Sequence, residues 1–217
     1  MMNERIEDSS LNERVAAVIA RLDERSRAEN ERLEQLRALG GSHLREVARE
    51  LMLDVGPEVG RLLNMLAITG GAKTIVEVGG SVGYSTLWLA EAASHTRGRV
   101  ISFETEPGKQ AEQRENLVAA NLASFVELVG DAARGIEKIP GPIDLVLLDH
   151  WKELYVREFD ALWPKLRKGG LIVADNIHKP VKNAAVIQQY LDHVRAIPDA
   201  RTSVLAIGSG IALTCRC

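Results

Sequence analysis

The stretch TIVEVGGSVGYS, residues 74–85, decides the fold predicted for this chain. It opens with the apolar run TIVEV, which is typical of a buried strand, and passes through three glycines into a helix-like segment. Glycines allow positive φ and close approach of a ligand, and the start of a helix presents free N–H groups. The stretch therefore predicts a strand, a ligand-binding turn and a helix. A tight strand-to-helix connection without a ligand is the alternative interpretation.

Four further apolar runs follow, at residues 99–104, 125–130, 143–150 and 171–177, and each precedes a stretch with helical character. Continuous apolar runs separated by helices predict a parallel sheet that is covered on both faces. The last two segments, TSVLAIGSG and IALTCRC, are separated by almost nothing and predict an antiparallel hairpin. We therefore predict an α/β fold: a mostly parallel seven-stranded sheet with a C-terminal antiparallel hairpin, helices on both faces and N-terminal helices.

A single domain is predicted, in which residues 1–53 form a helical extension and residues 54–217 carry the ligand site. Apolar residues of the extension, from Val15 to Leu22, fall at helical spacing, and Gly40-Gly41 is expected to end its first long stretch. The extension could serve as a lid or as the contact of a homodimer.

The charge balance and hydropathy exclude several classes of partner. There are 27 Lys and Arg against 30 Asp and Glu, a net charge of −3, which argues against a broad nucleic-acid interface. No stretch approaches the ~18 apolar residues of a membrane span. The charged N-terminus, MMNERIEDSS, is unlike a signal peptide, so we expect a cytoplasmic protein without a membrane partner.

Ligands of open parallel sheets bind beyond the carboxyl ends of the strands, where this sequence places most of its polar motifs. Glu104 ends the second run, about 20 residues beyond the glycine turn, where an acid can accept both hydroxyl hydrogens of a ribose. A glutamate that caps the helix starting near Pro107 is the alternative. Together the turn and Glu104 favour a cofactor that contains a nucleoside. The glycine spacing is not the G-x-G-x-x-G of a dinucleotide-binding turn, although these features alone leave a nicotinamide cofactor and S-adenosylmethionine open.

The sequence resembles a known family at this turn and at two later strand ends. EVGGSVGYS, residues 77–85, is similar to the first motif of class I methyltransferases, in the E-x-G-x-x-x-G-Y-S form of the small metal-dependent O-methyltransferases. LDHWK, residues 148–152, with Tyr155 is especially similar to animal catechol O-methyltransferase, and ADN, residues 174–176, matches at the right distance. The resemblance covers roughly residues 50–215 and extends to the caffeoyl-CoA O-methyltransferases.

This resemblance implies S-adenosylmethionine as the cofactor and a small molecule with adjacent hydroxyls as the substrate. Two groups of residues would surround the cofactor: Val55, Glu77, Gly79, Ser81, Gly83 and Ser85 at its methionine side, and Glu104, Asp131, Ala132, Asp149, His150 and Trp151 toward the ribose and adenine. Pro180 would lie at the substrate mouth. Alternatives remain for two of them, because His150 could be a metal ligand or a base and Trp151 could be a core residue.

Asp149, Asp175 and Asn176 supply two carboxylates and an amide oxygen at the ends of two runs predicted to be neighbouring strands. That all-oxygen set suits Mg²⁺ or another divalent cation, whereas zinc would favour histidine or thiolate. The alternative for either acid is a helix N-cap.

Lys152 stands three residues after Asp149 and is the predicted general base. An ordinary lysine is protonated at neutral pH, but a nearby cation, a sulfonium and desolvation would all disfavour its charged form. A surface lysine paired with Glu153 or Glu158 is the alternative. The predicted reaction is Mg²⁺-dependent methyl transfer from S-adenosylmethionine to a hydroxyl of a catechol-like aromatic. A metal-independent methyltransferase for another nucleophile and a non-catalytic S-adenosylmethionine-binding module are the alternatives.

The resemblance weakens at residues that would orient the substrate. Ser203 stands where catechol O-methyltransferases carry a glutamate, and Ser209 stands where the caffeoyl-CoA enzymes carry an aspartate. Leu51 aligns with the tryptophan that lines the substrate-binding site of animal catechol O-methyltransferase. The exact substrate is therefore left open.

Overall fold

A computed structural model describes residues 11–38, 50–178 and 183–217, which build one seven-stranded sheet between two layers of helices. The strands are β1 (Thr74–Val78), β2 (Arg99–Phe103), β3 (Val126–Val129), β4 (Ile143–Leu148), β5 (Leu166–Ala174), β6 (Ala200–Leu205) and β7 (Ile211–Arg216). Their spatial order is β3-β2-β1-β4-β5-β7-β6, with β1 to β5 parallel and β7 antiparallel to both β5 and β6. The predicted sheet and its C-terminal antiparallel hairpin are confirmed.

The helices cover both faces of the sheet, as predicted. They are α1 (Glu13–Ala38), α2 (Pro57–Thr69), α3 (Tyr84–Thr96), α4 (Pro107–Ala119), α5 (Ala132–Gly135), α6 (Tyr155–Leu162) and α7 (Ala184–Arg195). Helices α1 to α4 pack on one face and α5 to α7 on the other. Successive residues of β1 belong to different layers, since Ile75 is buried under the first group of helices and Val76 under the second.

Strand β5 begins five residues earlier than the apolar run at 171–177 indicates. Leu166 pairs with Ile143, the register then shifts, and Leu171 pairs with Leu145. The intervening Lys168 and Gly169 are exposed and Gly169 has a φ of 72°, so this part of the strand lacks the apolar pattern that announces a buried strand.

Helix α1 is joined to the core by one apolar face. Val15, Val18, Ile19 and Leu22 are buried against the layer formed by α2, α3 and α4, at the spacing predicted from the sequence. The predicted end of this helix at Gly40-Gly41 lies outside the described residues, and its role as a lid or dimer contact stays a prediction. No helix within the described ranges is long and apolar enough to cross a membrane.

Candidate active site

The glycine turn lies where β1 meets the end of β4. The N–H groups of Gly79 and Gly80 both donate to the carbonyl of Phe103, at 2.9 and 3.0 Å, which fixes the turn beside β2. Gly79 has a φ of 102°, and a Cβ at this position would lie 2.0 Å from the carbonyl oxygen of Asp149. Only glycine fits here, because a side chain would strain the backbone and also push against β4. The turn therefore brings the ends of β1, β2 and β4 together.

Glu77 supports this turn from inside the protein. Its fully buried carboxylate accepts hydrogen bonds from the hydroxyls of Ser85 and Thr86 at 2.6 Å each and of Ser102 at 2.5 Å. The amide of Gln113 donates to the last two hydroxyls at 2.8 Å. Burial raises the pKa of Glu77 although the three hydroxyls act to lower it. The network shapes the turn, and its members Thr86, Ser102 and Gln113 carry no sequence motif that could have identified them.

Glu104 lies beside the turn and accepts two backbone hydrogen bonds. Its two carboxylate oxygens accept from the N–H groups of Ser81 and Glu106, each at 2.8 Å. Glu104 therefore lies next to the glycine turn, and it accepts from the N–H of Glu106, the residue before α4, without capping an N–H group of the helix itself. Contact with a ribose stays a prediction.

Asp131 is an exposed helix N-cap in this structure. Its carboxylate accepts from the N–H of Ala133 at 2.9 Å and so caps the short helix α5, while Ala132 is buried. The predicted place of Asp131 and Ala132 next to the adenine stays a prediction.

Residues 51–56 pack directly against the glycine turn. The hydroxyl of Ser81 donates to the carbonyl of Met52 at 2.7 Å, and the ammonium of Lys109 donates to the carbonyl of Leu51 at the same distance. Val55 is buried. These contacts place the residues next to Val55 beside the glycine turn, and the contact of Val55 with the methionine side of the cofactor stays a prediction.

Helix α1 holds the same segment from the other side. The carboxylate of Glu29 accepts from the N–H of Met52 at 2.6 Å, and the hydroxyl of Ser26 donates to Asp54. Asp54 also accepts from the N–H of Gly56 at 2.8 Å. The N-terminal extension thus contacts the candidate cofactor site through residues that sequence reasoning did not single out.

Two acids follow neighbouring strands at the carboxyl edge of the sheet. The N–H of Asp149 donates to Val78 at 2.9 Å, and the N–H of Asp175 donates to Leu148 at 3.0 Å, which aligns the ends of β1, β4 and β5. The next residue, Asn176, has a φ of 57°. The topology therefore brings the predicted ligand-bearing positions to one edge.

Lys152 is buried at the same edge, with 7% of its surface exposed. Its Nζ lies 3.3 Å from Oδ1 of Asp149 and donates to the hydroxyl of Tyr155 at 2.7 Å. The alternative of a solvent-exposed lysine is wrong, because the short helical turn at Lys152–Leu154 directs the side chain back toward the strand end.

Asp175 is a buried acid with a strongly raised pKa. It is 1% exposed, and burial together with the nearby charge of Asp149 raises its pKa to about 8. Its Oδ1 is buried and accepts no hydrogen bond from any described residue. A buried acid beside a second acid is costly in its charged form unless a cation is bound, which is why its pKa is raised in the metal-free protein; the two acids therefore fit a divalent cation.

No group of three His, Cys, Asp or Glu suited to a metal occurs in the described ranges. A cation at this edge would therefore need the amide oxygen of Asn176, water or substrate in addition to the two acids.

His150 and Trp151 occupy different environments. Nε2 of His150 contacts the buried carboxylate of Glu158, and its ring lies 5.3 Å from the ring of Tyr155. Trp151 is 46% exposed, so the core alternative for it is wrong. Contact of either residue with the adenine stays a prediction.

The loop of the β6–β7 hairpin lies beside the residues that follow Asp175. The N–H groups of Ile177 and His178 donate to the carbonyls of Gly210 and Ser209, at 2.8 and 2.9 Å. Ser209 therefore adjoins the candidate site, whereas Ser203 lies within β6. Pro180 lies outside the described residues.

Tyr155 is the residue of the site whose role the sequence did not reveal. It is fully buried and its hydroxyl lies 2.8 Å from the carbonyl oxygen of Leu148 and 3.1 Å from that of Asp175. The sequence offered one signal, its place three residues after Lys152 in the resembling motif.

Comparisons with known proteins identify relatives of this chain. Residues 76–177 match a family described as a methyltransferase domain. The chain is 36% identical over 130 residues to a catechol O-methyltransferase of Niastella koreensis, covering 58% of each protein. It is 35% identical over 144 residues to a catechol O-methyltransferase of Mycobacterium tuberculosis, covering 64% of this chain and 63% of that one. The chain thus spans about three fifths of the length of these relatives.

Solved structures share the fold over most of the chain. An O-methyltransferase from Bacillus cereus in complex with SAH has a TM-score of 0.70 at 25% identity, with 88% of this chain and 91% of that chain covered. Cofactor-bound Rv0187 from MTB has the same TM-score at 28% identity, with 76% and 82% covered. The sheet and its hairpin are those of a Rossmann-like class I methyltransferase.

Proposed function

We propose that this chain, which matches a methyltransferase-domain family over residues 76–177 and is similar to catechol O-methyltransferases, transfers a methyl group from S-adenosylmethionine to a hydroxyl of a catechol-like small aromatic, with Mg²⁺ at Asp149, Asp175 and Asn176. Lys152 is the general base of this proposal. The residues around the glycine turn, with Val55 and Glu104 at its borders, hold the cofactor.

One observation carries the proposal: a buried lysine amine and two acids meet at adjacent strand ends. Nζ of Lys152 lies 3.3 Å from Asp149, while Asp175 keeps one buried oxygen without a hydrogen bond and a pKa raised to about 8. A purely structural site would not place an unsatisfied acid beside a second acid, because burial of both is costly. A cation and a polar substrate would satisfy these groups.

Different residues of the chain would carry out proton transfer and cofactor binding. Lys152 Nζ would accept the proton of the substrate hydroxyl, whose oxygen would receive the methyl group. The turn and the segment around Val55 would hold the cofactor close to that oxygen, and positioning of this kind accounts for a large part of the rate enhancement of enzymes. When bound, S-adenosylmethionine supplies the methyl group as a sulfonium, and Mg²⁺ supplies a positive charge that makes a hydroxyl more acidic.

The substrate class is proposed from the relatives named catechol O-methyltransferase and from the oxygen-rich donor set. Ser203, Ser209 and Leu51 stand where the resembling enzymes carry side chains that orient the substrate, so the proposal extends to aromatics with adjacent hydroxyls as a class and does not single out catechol itself.

The test is a turnover assay over a panel of catechols and hydroxycinnamoyl esters with S-adenosylmethionine, in Mg²⁺ and in excess EDTA. We expect turnover that is lost with EDTA, and a decrease in kcat of about 10²- to 10⁴-fold for Lys152→Ala with cofactor affinity nearly unchanged. Exposed Lys138 provides the matched control, since Lys138→Ala removes a lysine remote from the motif residues and should leave kcat unchanged.

Three outcomes would contradict the proposal. Full activity in EDTA would favour a metal-independent methyltransferase, and cofactor binding without turnover on any substrate would favour a non-catalytic module. Undiminished kcat in Lys152→Ala would remove the lysine from the chemistry.

A further inference from the structure

The hydroxyl of Tyr155 joins three groups that belong to different parts of the site. It lies 2.7 Å from Nζ of Lys152, 2.8 Å from the carbonyl oxygen of Leu148 and 3.1 Å from the carbonyl oxygen of Asp175. Leu148 ends β4 just before Asp149, and Asp175 directly follows β5. One buried oxygen therefore touches the lysine and the backbone next to both acids.

The hydrogen-bond directions follow from the chemistry of the partners. Backbone carbonyls only accept, so the single proton of the hydroxyl goes to one of them, and a lone pair of the phenol oxygen faces Lys152. Lysine must therefore donate. An ammonium and a neutral amine both carry N–H groups, so this bond can persist whether or not the amine holds its extra proton.

The ring of Tyr155 also restricts the position of the Lys152 side chain. Nζ of Lys152 lies 4.8 Å from the ring centroid, and the ring packs edge-on against Tyr190 at 5.4 Å between centroids. Tyr155 is also the first residue of α6 and is fully buried, so its hydroxyl is rigidly placed.

We propose that Tyr155 is a positioning residue, whose hydroxyl holds the Lys152 amine at a fixed place between the ends of β4 and β5 so that its free lone pair faces the substrate oxygen. This inference rests on the proposed function for its kinetic consequence. Its structural part, an immobilised Lys152, stands independently of any reaction.

The experiment compares Tyr155→Phe with Tyr190→Phe. The two variants remove one hydroxyl each from adjacent buried rings, but the hydroxyl of Tyr190 makes none of the three bonds described above. We expect kcat to fall about 10- to 100-fold in Tyr155→Phe, since misplacement of a reacting group by about 1 Å costs on that order. The KM for the catechol and the affinity for S-adenosylmethionine should change less than twofold, and Tyr190→Phe should keep its kcat.

A second readout needs no turnover. In protein labelled with ¹³C at lysine Cε, the Lys152 signal, assigned by its loss in Lys152→Ala, should be shifted by the ring current of Tyr155 and should report a rigid side chain. In Tyr155→Phe the ring remains but the anchor is lost, so the signal should move toward the free-lysine position and sharpen. The wild-type signal tests the proposal even if the variant does not fold.

Several results would overturn the inference. These are a wild-type Lys152 signal at the free-lysine position, an unchanged signal in Tyr155→Phe, equal losses of kcat in the two phenylalanine variants, or a loss confined to KM. If the wild-type protein methylates no substrate, the proposed function fails, while the NMR comparison still decides whether Tyr155 fixes Lys152.

Discussion

Replacing Gly79 by alanine would test how tightly the glycine turn is pressed against β4. The new Cβ would lie 2.0 Å from the carbonyl oxygen of Asp149, so the two backbones must separate by about 1 Å to reach the 3.0 Å below which such contacts essentially never occur. The φ of 102° adds conformational strain for any residue other than glycine.

The expected cost can be worked from these two contributions. Positive φ costs an alanine roughly 1–2 kcal/mol, partly offset by about 0.4–1 kcal/mol from the restricted unfolded chain. Overpacking against β4 adds roughly 1–3 kcal/mol. We expect Gly79→Ala to lose about 3 kcal/mol of unfolding free energy, which for a domain of this size lowers Tm by roughly 6–12 °C.

Gly71→Ala is the matched control, because Gly71 has a φ of 60° but a Cβ there would have nothing within 4 Å. Gly71→Ala should lower the free energy of unfolding by only about 1 kcal/mol, because it adds backbone strain but no steric clash. The assay is urea unfolding of both variants, combined with calorimetric titration of S-adenosylhomocysteine, whose affinity should fall only in Gly79→Ala. Equal stability and equal cofactor affinity of the two variants would refute the close approach of the turn to β4.

Two further predictions concern pH. Asp144 accepts hydrogen bonds from the N–H groups of Lys73 and Thr74 and from Arg167; burial alone would raise its pKa, but these bonds hold it below the ordinary value. The stability that ionised Asp144 contributes is present above its unfolded pKa of about 4 and is lost as pH falls through its folded pKa. Asp144→Asn should therefore lower the free energy of urea unfolding by about 1–2 kcal/mol at pH 7, and by progressively less in acid. A loss of stability that is the same at pH 2 as at pH 7 would contradict this. Asp175 has its pKa raised to about 8 by burial and by Asp149, so in metal-free protein its ionisation should lower stability as pH rises from about 4 to about 8. Asp175→Asn should flatten that decline in Tm measured in EDTA, and an identical pH profile in the two proteins would count against it.

The sequence predicts those parts of the molecule that depend on the local spacing of apolar and polar residues. Apolar runs that end in polar residues identified the five parallel strands, and strand ends in a parallel sheet share one edge, so Asp149, Asp175 and the glycine turn were expected together. The predicted sheet is confirmed. Its strands are buried on both faces, and each of them therefore stands in the sequence as a continuous apolar run.

Other features depend on contacts between distant residues and left no such pattern. The early start of β5 at Leu166 reflects pairing with Ile143 across a register shift. The hydroxyls around Glu77 come from α3 and β2, and the anchor of Lys152 is a tyrosine that could equally have been a core residue. In each case the side chain is ordinary for its element, and only its tertiary neighbours give it a role.

Two hydrogen bonds connect helix α1 to the segment before α2: Glu29 accepts from Met52, and Ser26 donates to Asp54. They determine how removal of the N-terminal helix would affect the protein. Helix α1 supplies no group to the proposed chemistry, yet its removal would take away the hydrogen-bond acceptor of the Met52 N–H and one of the two donors to the Asp54 carboxylate, beside the glycine turn. A deletion of everything before residue 50 should therefore loosen residues 52–54 beside the glycine turn, and it would also uncover the apolar side chains against which helix α1 packs.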